Sequence, residues 1–390
     1  MTWNWQQPDW PRFRWREDRL NRAEERFLLG AGGIFGAVGH LDAPSRQHLT
    51  IEVMGEEAVS SAEIEGEHLD RASVQSSIRR ELGLMTDPRR ASPPEQGIAE
   101  MIVSLYQSSA DPLRDDTLRT WHTMLMRGRR DLRIGAYRTH AEPMQILSGR
   151  LDQPIVHFEA PPSARVPSEM RTFLEWFNRT GPTGREPLPA LTRAGTAHLY
   201  FESIHPFEDG NGRIGRAIAE KALAQGMGGP ALTALAATIL RRRRAYSAML
   251  EASSTHNDID RWLAWFAGVA LEAQARTRAQ VEFVIDKSRL MDRVRRDLNA
   301  RQEKVLLRVL AAGPSGFEGG LSASNYVSIA GTSAATARRD LVDLVDMGAL
   351  IRTGERRYAR YHLSIPLRPV AVVTIDEDGA VVVGDASESR

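Results

Sequence analysis

The chain has no cysteine. That removes disulfides, thiolate nucleophiles, Cys-ligated zinc and iron–sulfur clusters from its chemistry. It fits a reducing compartment, and a cytoplasmic location is expected. Lysine is nearly as scarce: Lys221, Lys287 and Lys304 stand alone, so arginine supplies almost all of the 51 basic residues. These face 50 acidic residues for a formal charge of +1, which argues against wholesale coating of a nucleic acid but leaves room for a local basic patch. Long apolar runs are missing too. The best candidate, 28–41, is Gly-rich and shorter than the ~20 residues that cross a bilayer. The opening MTWNWQQPDWPRFRWRED lacks the charged-then-apolar order of a secretory signal, so no membrane partner is expected.

What is present is a chain of 390 residues, enough at ~150 residues per domain for two or three cores. Trp3, Trp5, Trp10 and Trp15 are half of its eight tryptophans. Set among prolines and arginines, they suggest an arm that docks aromatic side chains on a core. Leu20, Ala23, Phe27 and Ile34 follow near-helical spacing. That pattern continues to Gly83 with a break near Ala43 and Pro44, and DPRRASPP (87–94) reads as a linker. From 95 to about 274 the pattern is helical with one interruption. Residues 135–162, rich in Gly and Pro, hold the runs MQIL and PIVHF and read as a β-hairpin.

Residues 275–304 look like a charged helix leading into a C-terminal unit. Helical patterns at 303–311, 323–329 and 333–347 precede strand-like runs at 349–352 and 357–363, the winged-helix order. The tail VAVVTIDEDGAVVVGD reads as a last hairpin turning at Asp378 and Gly379. The expected fold is mainly α, in three parts. Residues 1–94 form a Trp-rich helical region, 95–275 a helical core with a small hairpin, and 276–390 a linker helix, a winged helix and the closing hairpin.

The chemistry concentrates in 203–223, SIHPFEDGNGRIGRAIAEKAL. A helix-compatible run follows Gly210–Asn211–Gly212, so this turn sits where a helix N-terminus offers free N–H groups to an anion. Arg213 and Arg216 share one helix face and can clamp phosphate oxygens. Asp209 is placed to hold a hard cation such as Mg²⁺ between phosphates, with Glu208 the competing ligand. His205, just ahead of the turn, is a candidate proton acceptor from an attacking hydroxyl.

HPFEDGNGRIGR resembles the signature of the Fic family, HPFx[D/E]GNGRxxR, at every defined position. GAYR (135–138), the hairpin, and the stretches 157–178 and 241–267 look like further parts of Fic domains. The Trp-rich region resembles a domain that often precedes them. The resemblance implies a helical protein that transfers AMP from ATP to a Ser, Thr or Tyr hydroxyl of a target protein, itself included. It implies that His205 is the general base, that Asp209 binds Mg²⁺, and that Gly210, Asn211, Gly212, Arg213, Ile214, Gly215 and Arg216 form the nucleotide site, Asn211 near the α-phosphate. Tyr246 matches an adenine-pocket tyrosine, with Ser247 where a second Tyr is common. Gln145, Ile146 and Leu147 resemble the flap that pairs with an extended target segment. A homodimer is the family expectation.

Upstream, SSAEIEGE ends a helical run over 56–67, placing Ser61 and Glu65 on one face. Alone, it reads as an acidic, solvated helix end. Beside a Fic core, Ser61, Glu65 and Gly66 match the family's inhibitory pattern [S/T]xxxE[G/N]. In relatives that carry it, this Glu pairs with the second motif arginine, here Arg216, and blocks the productive γ-phosphate pose. The same Glu orients water for AMP removal in some relatives, so a de-AMPylase using the same site is an alternative. The second alternative is a DNA-binding transcriptional regulator whose Fic-like core senses nucleotide. Arg338 and Arg339 on the third C-terminal helix, with Arg356 and Arg357 in the turn, are the candidate DNA contacts.

Overall fold

The structure, a computed structural model, describes residues 2–84, 89–150, 153–229, 233–313, 316–317, 319–366 and 368–384. The chain divides into two units, one of 1–33, 50–275 and 371–390, the other of 34–49 and 276–370. Among the described residues no helix is long and apolar enough to cross a membrane.

In the first unit, α7 (Ala190–Ile204) is buried on nearly every face, as expected of a helix apolar all round. It packs beside α8 (Asn211–Met227). Pro189 precedes α7 and offers it no side-chain cap. The buried Glu24 does so from a distance, accepting from Leu191 N–H at 3.0 Å and Thr192 N–H at 2.8 Å, a carboxylate set against the positive end of the helix dipole. This unit also holds α1 (Asn21–Gly39) as far as residue 33, α2 (Ala43–Ile64) from residue 50, α3 (Arg71–Glu81), α4 (Pro93–Gln107), α5 (Asp115–Leu125) and α6 (Val166–Arg179). After α8 come α9 (Leu235–Arg241), α10 (Arg243–Ser253) and α11 (Asp260–Val294), of which residues up to 275 belong to this unit. Phe27, Trp121, Phe173, Phe201 and Trp262, all fully buried, fill the shared core. The linker read at 87–94 lies partly outside the described residues, and α4 starts within it at Pro93.

The hairpin expected within 135–162 is β1 (Gln145–Arg150) paired antiparallel with β2 (Gln153–Glu159), with a bulge between Ile146 and Leu147. The N-terminal arm fastens its base. Trp5 donates its indole N–H to the Glu159 carbonyl at 2.6 Å, and Trp3 lies edge-on to Phe158. Asn4, fully buried, donates to Ser203 Oγ at 2.8 Å on α7. Farther along, Trp10 and Phe13 stack edge-on against Tyr200.

The tail hairpin, β5 (Val373–Ile375) with β6 (Val381–Val383), turns at Gly379. Sequence order groups it with the C-terminal part, yet Val373 and Ile375 are buried in the first unit's core. Arg19 holds it by donating to the Asp376 carbonyl at 3.0 Å.

The second unit contains α12 (Ala300–Leu310), α13 (Ala323–Ala330) and α14 (Ala334–Asp346), then β3 (Leu350–Thr353) antiparallel to β4 (Arg360–Leu363). Leu321 adds a bridge to Tyr361. Leu306, Tyr326, Leu341 and Leu344 form its core with Phe283 and Leu290 of α11. The charged helix read over 275–304 is two elements. α11 stops at Val294, and Asn299 caps α12 by accepting from Arg301 and Gln302 N–H groups.

Trp5→Ala removes both the bond to Glu159 and the indole's share of the small apolar cluster with Trp3, Phe158 and Ala160, and is expected to loosen arm from hairpin by about 3 kcal/mol. Amide exchange across 156–159 should then quicken by about 10²-fold. Unchanged exchange there would show that the hairpin does not lean on the arm.

Candidate active site

The turn between α7 and α8 is the centre of the site. His205 ends α7 in the left-handed region at φ 49°, a conformation that costs a non-glycine residue energy and gathers at functional positions. Arg138, buried, holds the turn there. Its Nε donates to the His205 carbonyl at 2.8 Å, and its Nη2 to the Pro161 and Ile204 carbonyls at 2.6 and 3.2 Å. Its own backbone N–H donates to Pro206 O at 3.0 Å. In the sequence this arginine is only the end of GAYR.

Gly210 then takes φ 80° and starts α8. The first turn leaves the N–H groups of Asn211, Gly212 and Arg213 without helical acceptors, at the positive end of the dipole. The Asn211 side chain closes the loop, accepting from Phe207 N–H at 2.9 Å and donating to Phe207 O at 2.8 Å. It is committed to the turn, so the group Asn211 can offer an anion is its backbone N–H. Ile214 anchors the helix in the core. Glu208 accepts from the Arg133 N–H at 3.1 Å, which leaves Asp209 as the carboxylate beside the turn.

Asp209, Arg213 and Arg216 each have a counter-charge. Arg216, 1% exposed, pairs with Glu65 Oε1 through Nη1 at 2.8 Å. Its Nε donates to Ser61 Oγ at 3.0 Å and its Nη2 to the Ser61 carbonyl at 2.7 Å. Arg213 pairs with Glu67 at 2.7 Å, and Asp209 with Arg129 at 3.0 Å. The helix expected over 56–67 stops at Ile64, because Gly66 adopts φ 84° and turns the chain. That turn aims Glu65 and Glu67, two residues apart, at two arginines of α8. A Cβ on Gly212 would lie 2.2 Å from Glu65 Oε1, so only glycine admits the carboxylate here.

Two cavities meet at Glu65. One, of about 550 Å³, is lined by His205, Tyr246, Ser247, Leu250, Ile146 and Leu147 among others, and by Glu65. The other, of about 540 Å³, also has Glu65 in its wall, with Asp209, Arg213, Arg127 and Arg129. Tyr246 is buried, with its hydroxyl 2.8 Å from His198 Nε2. Gln145 donates to Glu159 at 2.7 Å. Arg338, Arg339 and Arg356 are exposed in the second unit, while the side chain of Arg357 lies outside the described residues.

Burial, and then the charge of Arg138, depress His205 to about 4. Burial does the same to His122 and His198. It pushes Glu202 up to about 8, with the negative charge of Glu65 adding to the rise. Sequence reasoning missed Glu67, Arg129 and Glu202. Glu67 falls one residue past the inhibitory pattern, Arg129 lies far off in sequence, and an acid on an apolar helix carries no periodic signal.

Residues 112–223 match the model of the Fic/DOC family. The chain carries a Fic/DOC domain. Residues 3–84, ahead of that domain, match a domain of unknown function, DUF4172. A probable protein adenylyltransferase of Aquifex aeolicus is 34% identical over 68 residues, which span 17% of this chain and 20% of that protein. This chain thus matches about a fifth of that relative's length. The fold is similar to that of a Fic-domain-containing signaling protein from Bacteroides thetaiotaomicron, at TM-score 0.50 and 16% identity, covering 66% of this chain and 95% of that one. A Fic family protein from Desulfovibrio desulfuricans aligns at TM-score 0.49 and 22% identity, covering 88% and 96%. The Fic/DOC segment takes in α7, the turn and most of α8.

His122, His198 and His205 should stay neutral at pH 6 and gain a proton only near pH 4, read by NMR of the imidazole rings. The unfolded chain takes up those protons first, near pH 6.5, so stability should fall as pH drops from about 6.5 towards 4. A site histidine titrating at an ordinary 6.5 would contradict the buried geometry.

Proposed function

We propose that the protein transfers AMP from ATP to a Ser, Thr or Tyr hydroxyl of a protein, itself included, and that Glu65 restrains it. The observation that carries this reading is the buried Arg216–Glu65 pair at 2.8 Å, lying against Gly212 at the anion-binding turn that follows His205. A buried guanidinium without a counter-ion is costly. In the resting protein Glu65 therefore occupies the partner position that an ATP phosphate takes when the carboxylate is withdrawn.

His205 is neutral and its Nδ1 is sealed from solvent, so Nε2 is the nitrogen presented to the cavity. Nε2 takes the target hydroxyl's proton as that oxygen attacks the α-phosphorus in line. The bond from the α-phosphorus to the bridging oxygen breaks, and pyrophosphate leaves. The N–H groups of 211–213 and the two arginines stabilise the charge that develops on phosphate, and positioning supplies much of the rest. Tyr246 and Ser247 flank the base end of the cavity. The exposed Ile146 and Leu147 offer a strand edge to the target.

A single half-exposed carboxylate, Asp209, beside a phosphate cradle suits Mg²⁺, which takes one or two carboxylates and completes its shell with substrate phosphates and water. Among the described residues no group of three His, Asp or Glu gathers into a metal site. Bound there, Mg²⁺ would neutralise phosphate charge.

Wild type, His205→Ala and Glu65→Gly, incubated with Mg²⁺ and either α- or γ-labelled ATP, test the reading by covalent label on protein. The α-label should appear, rise about tenfold or more in Glu65→Gly, and vanish in His205→Ala. Label from γ-ATP would overturn the reaction assignment, and equal α-labelling of wild type and Glu65→Gly would overturn the restraint.

A further inference from the structure

We propose that Glu202 is the positioning residue of His205: as a carboxylate it accepts the Nδ1 proton of the ring and so presents Nε2 as the base. This rests on the transferase reading above. Two buried atoms of neighbouring side chains are left unsatisfied. His205 Nδ1 and Glu202 Oε1 are both sealed from solvent, and neither has a hydrogen-bond partner among the described residues. The other carboxyl oxygen, Oε2, lies 3.7 Å from Nδ1. Buried polar groups left unpaired are rare in native proteins, and each calls for a reason. A pair that falls half an ångström short of a bond, at the base of a reaction, has one if the bond closes during turnover.

The chain around the pair is built to admit it. The left-handed turn at His205 ends α7 three residues after Glu202. On α8, Gly215 leaves the space that the carboxyl fills: a Cβ there would lie 2.3 Å from Glu202 Oε1 and 3.2 Å from His198. The charged and titratable groups facing Glu202 are Glu65 from the turn after α2, Arg216 from α8, and His205 with His198 on its own helix. Tyr246 of α10 and Arg138 from the preceding loop complete the ring. The backbone carbonyl of Glu202 also faces the imidazole, and it is the competing acceptor.

The protonation state of Glu202 decides which ring nitrogen is free. As a neutral acid it carries an O–H, and donating that proton to Nδ1 leaves the ring proton on Nε2 and removes the base. As a carboxylate, it accepts from Nδ1–H and frees Nε2. Burial and Glu65 keep it in the acid form below about pH 8. Glu65 thus restrains the enzyme twice, by holding Arg216 and by keeping Glu202 protonated. During transfer the hydroxyl proton goes to Nε2, the new oxygen–phosphorus bond forms, pyrophosphate departs, and the imidazolium keeps its Nδ1–H bonded to the Glu202 carboxylate. The proton on Nε2 then passes to water.

The test reads tautomer and rate together. In wild type with ¹⁵N-labelled histidine, the His205 signal should change from the Nε2–H to the Nδ1–H form as pH rises through about 8. In Glu202→Gln it should keep one form throughout. In the Glu65→Gly background kcat should rise with pH along a limb centred below that value. Adding Glu202→Gln should flatten the limb and lower kcat about tenfold or more with the KM for ATP little changed, and Glu202→Asp should restore part of it. A tautomer in Glu202→Gln that still switches as in wild type would overturn the proposal, leaving the backbone carbonyl as the acceptor. So would a kcat loss with the pH limb intact. If Glu65→Gly transfers no AMP at all, the transferase reading fails while the tautomer measurement still decides this one. Should Glu202→Gln not fold, Gly215→Ala displaces the same carboxyl and is read the same way.

Discussion

Everything at this site depends on a guanidinium that water cannot reach. Arg216 is 1% exposed, and it donates to Ser61 of α2 and to Glu65 in the turn that follows. A charge so placed must be paired: here its partner is the Glu65 carboxylate, and under the proposed transfer a substrate phosphate would compete for it. Under the proposed function, competition between them would be a restraint that needs no moving domain. Its strength is set by how firmly α2 is seated.

That seating is visible along one stripe of α2. Glu57, Ser61 and Glu65 recur every four residues. Glu57 accepts from the Ala236 N–H at the start of α9 at 2.8 Å, and Ser61 and Glu65 hold Arg216. On α8 the residue four beyond Arg216 is Glu220, a buried acid bound to Thr233. The turn at His205 is fixed from the opposite side. Arg138 binds three carbonyls around His205, and Asn4 of the arm reaches Ser203, two residues before it. The residues matched by a domain of unknown function thus contribute both the carboxylate facing Arg216 and a clasp on the hairpin and α7.

Much of this was legible in the sequence because it is local. Gly210 and Gly212 punctuate a helix start, two arginines three apart share its face, and alternating runs bounded by Gly and Pro mark the hairpin. The resemblance of Ser61, Glu65 and Gly66 to the family's inhibitory pattern implies a pair with Arg216, and that pair is present at 2.8 Å. What escaped depends on distance along the chain. Arg129 reaches Asp209 across 80 residues, Glu67 meets Arg213 across 146, and Arg138 meets the His205 carbonyl across 67. No periodicity encodes those contacts. The tail hairpin shows the same limit: its turn was readable from Asp378 and Gly379, but not the core on which Val373 and Ile375 rest.

The most direct test of a shared arginine is the structure of Glu65→Gly crystallised with Mg²⁺ and an ATP analogue that cannot be cleaved at the α-phosphorus. The account predicts that Arg216 keeps its Ser61 contacts and turns Nη1 onto a phosphate oxygen, within about 3 Å, where Glu65 Oε1 stood. Phosphates bound with no contact to Arg216 would contradict it.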